Sequence, residues 1–185
     1  GVGIRAEQAE YRARIVAVDH EAHTVTISPA PPNPTALVGR FVHITNDARR
    51  VGYQVLGAEA VPEGVRLSLS NDSFIGTGRV TGTADFKVLT DTPFVLHNWG
   101  YYHGARLVNA DGSAEYRINE VRSGKFALID PNLHPQATGA RLAEQFATDT
   151  WFRVYDYGVG DEVVWPNVVS LVALDRHGNH FALST

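Results

Sequence analysis

A chain of 185 residues, 44% of them hydrophobic and 10% aromatic, has the apolar content of a folded core and the length for one β-domain or two small ones. Its formal net charge of −4 argues against nucleic acid or an anionic membrane as a generic partner, since both favour a basic face. The absence of cysteine excludes a disulfide framework and a thiolate metal site, and no apolar run approaches the roughly 20 residues of a membrane span.

Apolar and polar residues alternate at period two through most of the chain, the pattern of half-buried strands. Residues 12–18 and 24–28 predict a hairpin around Asp19-His20-Glu21-Ala22-His23. Pro29-Ala30-Pro31-Pro32-Asn33-Pro34 cannot donate a continuous ladder of N–H groups and reads as a loop. Strands are predicted at residues 40–45, 52–60 and 65–70. Next, Ile75-Gly76-Thr77-Gly78-Arg79-Val80 leads into a strand at 85–89. Its glycines mark a strand bend, because the Lys-Ser/Thr ending and following helix of a phosphate loop are missing. Asp91-Thr92-Pro93 is the candidate hinge, dividing the chain into a first β unit at 1–90 and a second at 91–185. After it come strands near 94–96, 105–109, 114–121 and 125–129. One short helix is predicted at 137–146, where Leu142 and Phe146 share a face at i, i+4. The tail returns to strand at 151–157, 162–165, 168–174 and 180–183, with Trp151 and Trp165 expected in the core.

Two stretches nearly repeat. Gly39-Arg40-Phe41-Val42-His43-Ile44-Thr45-Asn46-Asp47 leads to Tyr53-Gln54-Val55 and then Val65-Arg66-Leu67-Ser68-Leu69. Later, Gly104-Ala105-Arg106-Leu107-Val108-Asn109-Ala110-Asp111-Gly112 leads to Tyr116-Arg117-Ile118 and then Phe126-Ala127-Leu128-Ile129. Each copy reads strand, Asn/Asp-rich turn, strand, turn, strand. The fold expectation is therefore all-β: an antiparallel sandwich or barrel built from a duplicated meander, with one short helix. A scaffold of that kind says little about chemistry.

Chemical motifs are sparse. His20 and His23 lie in a predicted turn, and His177 and His180 flank a Gly-Asn hairpin signature, so neither pair has the helical spacing of a zinc protease. His43 is read as pointing away from Phe41 or into a second interface, with a satisfied strand histidine as the simpler account. No nucleophile elbow surrounds Ser113 or Ser123. Asp156 and Asp161 face each other across a Gly158/Gly160 turn; together with turn carbonyls they could hold calcium, or they could cap the turn. Only Lys87 and Lys125 of the 16 basic residues are lysine, so arginine supplies nearly all the positive charge. Guanidinium groups suit carboxylate or sulfate, although a coding bias produces the same count.

The sharpest local feature is Asn98-Trp99-Gly100-Tyr101-Tyr102-His103-Gly104. Rings flanked by glycines either plug the end of a barrel or stack on a ligand, and pyranose rings offer apolar C–H faces with hydroxyls at the edge. Asn98, Trp99, Tyr101, Tyr102, His103 and Arg106 are the candidate ligand contacts, Arg106 being suited to an acidic sugar. No catalytic residue is assigned and no cofactor is expected beyond the calcium alternative.

Leu37-Val38-Gly39-Arg40-Phe41-Val42-His43-Ile44-Thr45-Asn46-Asp47, Tyr53-Gln54-Val55 and Tyr155-Asp156-Tyr157-Gly158-Val159-Gly160-Asp161 together resemble the C-terminal β-rich region of heparinase II/III-type polysaccharide lyases. The family's catalytic residues, which belong largely to an upstream helical toroid and a central sandwich, find no matching positions here. What the resemblance implies is a non-catalytic carbohydrate-binding or accessory module of a larger, secreted or periplasmic polysaccharide-active protein, with neighbouring domains and a polysaccharide, acidic or neutral, as partners. The chain begins without methionine, which fits a segment of something longer. The alternatives are a small lyase using a Tyr/His pair from Tyr101, Tyr102 and His103, and a structural spacer.

Overall fold

A computed structural model describes residues 9–92, 100–122, 125–167, 172–174 and 180–182. The strands are β1 (Ala9–Asp19), β2 (Thr24–Ser28), β3 (Phe41–Asn46), β4 (Arg49–Val61), β5 (Gly64–Leu69), β6 (Phe74–Ala84) and β7 (Lys87–Thr90). They continue as β8 (Arg106–Val108), β9 (Glu115–Arg122), β10 (Phe126–Ile129), β11 (Trp151–Tyr155), β12 (Glu162–Asn167), β13 (Val172–Leu174) and β14 (His180–Ala182). A 3-10 turn covers Pro34–Leu37, and the helix α1 covers Gly139–Gln145.

Two closed antiparallel barrels result, one in the order β1-β12-β3-β4-β5-β2 and the other β10-β7-β6-β11-β8-β9. Closure leaves neither barrel with an open edge strand. Numbered by order of entry, the first barrel uses β1 to β5 and then β12, and the second uses β6 to β11. Both rings then read first, sixth, third, fourth, fifth, second. The repeat seen in the sequence is the third-fourth-fifth meander of each barrel, β3-β4-β5 and β8-β9-β10.

The second barrel interrupts the first between its fifth and sixth strands. The compact units are Gly1–Thr45, Val51–Asn71 and Val159–Thr185 for the first, and Asn46–Arg50 with Asp72–Gly158 for the second. The expected division at 90/91 therefore differs from the observed one. β12 closes the first barrel from beyond the second, pairing Ala13 with Val163 and Ile44 with Val163. Asp91 and Thr92, read as a hinge, are tied into the second barrel: the Arg79 backbone N–H donates to Thr92 Oγ1 at 3.1 Å, and the Arg79 side chain pairs with Asp91.

Alternation puts one face of each strand inside. Ile15, Val25, Ile27, Val42, Ile44, Val55, Val65, Leu67 and Val163 fill the first barrel. Val80, Val88, Leu107, Ile118, Ala127, Ile129, Phe152 and Val154 fill the second, where Leu142 and Phe146 of the α1 segment add to the core. Thr138 caps that helix, its side chain accepting from Arg141 N at 3.3 Å. Gly78 sits inside β6, where a Cβ would lie 2.3 Å from the Phe152 ring. The missing side chain is what lets that ring fill the barrel.

Trp165 is buried and stacks on Tyr11 at 5.7 Å. Trp151 is not a core residue: it is 50% exposed, because β11 turns Phe152 and Val154 inward and leaves Trp151 on the outer face. Among the described residues no helix is long and apolar enough to cross a membrane.

Candidate functional site

The second unit gathers Asn46–Arg50, the segment at 100–106, the start of β9 and the turn after β11. Gly104 sets the geometry. Its φ of +81° is a left-handed conformation, and a Cβ there would lie 2.6 Å from Asn46 Oδ1. Asn46 Nδ2 donates to the Gly104 carbonyl at 3.0 Å, and Arg106 Nη1 donates to the same oxygen at 3.0 Å. Asn46 Oδ1 accepts from Ala48 N at 2.9 Å, closing the turn that presents Asp47 and Arg49.

Three arginines converge on this region and are largely buried. Arg49 donates through Nη1 to the Tyr101 carbonyl and through Nη2 to Asp156 Oδ1, while its guanidinium lies 5.4 Å from the centre of the Tyr101 ring. Tyr101 meets Tyr102 edge to face at 4.9 Å. Arg117 donates to Asp47, and that hydrogen bond holds the Asp47 carboxyl below the usual carboxylate range. Arg106 is buried and shares the Gly104 carbonyl with Asn46.

Around them, His134 Nε2 accepts from the Arg117 backbone N–H at 2.9 Å, which requires a neutral imidazole. Burial first, and then the charge of Arg106, push His134 below its ordinary 6.5. Tyr157 is fully buried, and burial pushes its phenol up to about 12 against the pull of a hydrogen bond with Ser73.

The six expected ligand contacts separate. Asn98 and Trp99 lie outside the described residues. Tyr102 is core, with Gly76 of β6 packed on its ring, and burial raises its phenol pKa. Arg106 is likewise buried. Tyr101 is half-buried beneath Arg49, and His103 is exposed. Tyr102 thus joins the core of the second barrel, Tyr101 packs half-buried against it, and His103 alone of the three is exposed.

The Asp156 and Asp161 turn departs from the calcium alternative. Asp156 belongs to the second unit, where Arg49 takes its carboxylate, and Asp161 is buried in the first. A guanidinium on the carboxylate stands where a cation would. Among the described residues no group of three or more His, Asp and Glu could hold a metal ion.

Arg49, Asp47, Arg117 and His134 were not singled out from the sequence. The one signal was the Asn46-Asp47 turn, which looked like a copy of the turn at Asn109. Arg117 sits inside a strand, and nothing local distinguishes it from a solvated arginine.

His43 corrects another expectation. It shares the outer face of β3 with Phe41, since residues two apart on a strand point the same way. Both line an open groove of about 580 Å³ in the first barrel, together with Ala36, Val38, Arg40 and Pro166. Comparison with protein-family models, curated proteins and solved structures finds no match to this chain.

Proposed function

We propose that the chain is a non-catalytic polysaccharide-binding or accessory module of a larger, secreted or periplasmic polysaccharide-active protein. The observation that supports this reading is the fixed loop at 100–106. Gly104 and Tyr102 are locked by Asn46 and the barrel core, so His103 is presented at the surface, with one side of the half-buried Tyr101 beside it, without a cost of ordering them on binding. Arg49, paired with Asp156, braces the Tyr101 carbonyl and ring from beneath that surface. The heparinase II/III resemblance supplies the polysaccharide context, the neighbouring domains and the extracytoplasmic setting.

The lyase alternative is less well supported. A phenol serving as general base needs a lowered pKa, whereas Tyr102 is buried and raised, and the Tyr101 backbone and ring are engaged by Arg49.

Affinity electrophoresis on gels of acidic and neutral polysaccharides tests the proposal. Retardation that is lost in Trp99→Ala and His103→Ala, with no absorbance from unsaturated uronate ends, is the expected result. Unchanged mobility across the panel would exclude binding, and growing absorbance would exclude a non-catalytic role.

A further inference from the structure

The first barrel carries a groove unused by the site above. Phe41 is 67% exposed on β3, although Val42 beside it is fully buried. Leaving a whole aromatic ring in water forgoes the burial that stabilises most rings. Val38 is also exposed, and Pro166 on β12 completes an apolar floor. Arg40 and His43 provide the polar lining, and no acidic residue lines the groove, in a chain whose net charge is −4. Among the described residues no carboxylate pairs with Arg40. At about 580 Å³ the groove falls within the roughly 300–1,000 Å³ of small-ligand sites.

The backbone narrows the choice of occupant. Ala36 N–H donates to Asn33 O at 3.1 Å, Val38 N–H to Thr35 O at 3.2 Å, Gly39 N–H to Val55 O at 2.7 Å and Arg40 N–H to Leu37 O at 3.0 Å. The Arg40 carbonyl accepts from Val55 N at 2.8 Å, and the Gly39 carbonyl accepts from Gln54 Nε2 at 3.2 Å. β3 is paired on both sides, by β12 and β4, in a closed ring. An extended peptide adds to a sheet through free main-chain groups, and the amides of Ala36, Val38, Gly39 and Arg40 are already committed within the chain. Recognition there falls to side chains: an apolar ring, a planar cation and an imidazole.

We propose that this groove binds an anionic sugar unit of a polysaccharide, with the Phe41 ring against the apolar face of the pyranose and Arg40 on its carboxylate or sulfate. A guanidinium binds either anion through two parallel hydrogen bonds, and His43 contributes a ring N–H to a hydroxyl or to the same anion. The inference rests on the polysaccharide-binding reading and places a second contact point on the other barrel.

Titration calorimetry with three probes tests it: oligogalacturonate, the methyl ester of that oligosaccharide, and a dextran sulfate oligosaccharide. Binding of at least one anionic probe is expected, with the neutral ester failing to bind. Oligogalacturonate against dextran sulfate separates carboxylate from sulfate. Phe41→Ala and Arg40→Gln should each weaken binding by about tenfold or more, as loss of a stacked ring or a paired charge implies, while Arg66→Gln, elsewhere on the same barrel, leaves it unchanged. Both ring and charge are at the surface, so near-ultraviolet circular dichroism should show folded variants. Anionic binding that persists in both variants but falls in Trp99→Ala would overturn the groove and leave the polysaccharide reading standing. Absence of binding to all three probes by a wild-type chain that is retarded on a polysaccharide gel would overturn the groove alone, and absence of both signals would overturn both.

Discussion

The two turns that the sequence repeat equates are built in opposite ways. The turn at Asn109 is closed on itself and its helix. Asn109 Oδ1 accepts from Ala114 N at 2.9 Å, Asn109 Nδ2 donates to Ser113 Oγ at 2.9 Å and to Gln145 O at 2.9 Å, and Asp111 Oδ1 accepts from Ser113 N at 3.0 Å. The turn at Asn46 is satisfied from far along the chain. Asn46 holds Gly104, Asp47 holds Arg117 at a separation of 70 residues, and Arg49 holds Asp156 at a separation of 107. Both begin with Asn followed closely by Asp, yet one is a local cap and the other anchors a site. A side chain that bonds its own turn costs little extra order, whereas one that reaches a distant strand depends on that strand being folded.

The comparison breaks most visibly when the second barrel is loosened. Phe152→Ala empties the ring that fills the space left by Gly78 and should cost about 3–5 kcal/mol by chemical denaturation. If the Asn46 turn depends on the second barrel, amide exchange at Ala48 should accelerate in this variant. Unchanged exchange at Ala48 would separate the turn from the barrel.

A smaller loss follows from the anchor itself. Arg49→Ala leaves Asp156, whose side chain is 16% exposed, without its cation and should cost about 2–3 kcal/mol. Arg49→Lys should recover only part of that, because an ammonium cannot donate to the Tyr101 carbonyl and the Asp156 carboxylate in the same planar fork. Asn109→Ala removes a local network and should cost about 1–2 kcal/mol while leaving exchange at Ala48 untouched. A thermal denaturation series ranks the three variants, and an Asn109 effect exceeding that of Arg49 would reverse the comparison.

The smallest effect is a pH dependence. His134 is held below 6.5 in the folded chain, so the unfolded chain takes up its proton first. Its contribution is therefore complete above about 6.5 and erodes as pH falls through that value toward the lower folded pKa. His134→Gln should flatten the stability profile between about pH 7 and 5, and an unchanged slope would show that other groups carry it. Asp47 adds little near neutrality despite its lowered carboxyl, because its side chain is 82% exposed and its pair with Arg117 is screened by water.

Much of the fold was legible because period-two alternation and turn chemistry are local. Most of the described strands, the antiparallel meander and the Leu142/Phe146 pair of the helical segment follow from residues within a few positions of one another, but β6 does not: its glycines read as a bend where the structure has a continuous strand over Phe74–Ala84. The partner of β12 was not legible: Glu162 to Trp165 alternates equally well for any neighbouring strand, and only the tertiary structure brings Val163 beside Ala13 and Ile44. That is why the division fell at a proline-marked turn instead of at Asn71/Asp72 and Gly158/Val159. Trp151 misled for a related reason, since its β-rich neighbours show alternation but not which phase faces inward. At the site, the loop at 100–106 announced itself by its rings and glycines. Arg49, Arg117 and His134 did not, because burial of an arginine is decided by a carboxylate or carbonyl far away in sequence.

One closed barrel interrupts another of the same strand order, and on that arrangement the rest of the account depends. Nuclear Overhauser contacts across β12 test it most directly. Backbone contacts from Val163 to both Ala13 and Ile44 are expected from the register of the first barrel. Contacts from Val163 to β10 or β11 in their place would put β12 in the second barrel and contradict the account.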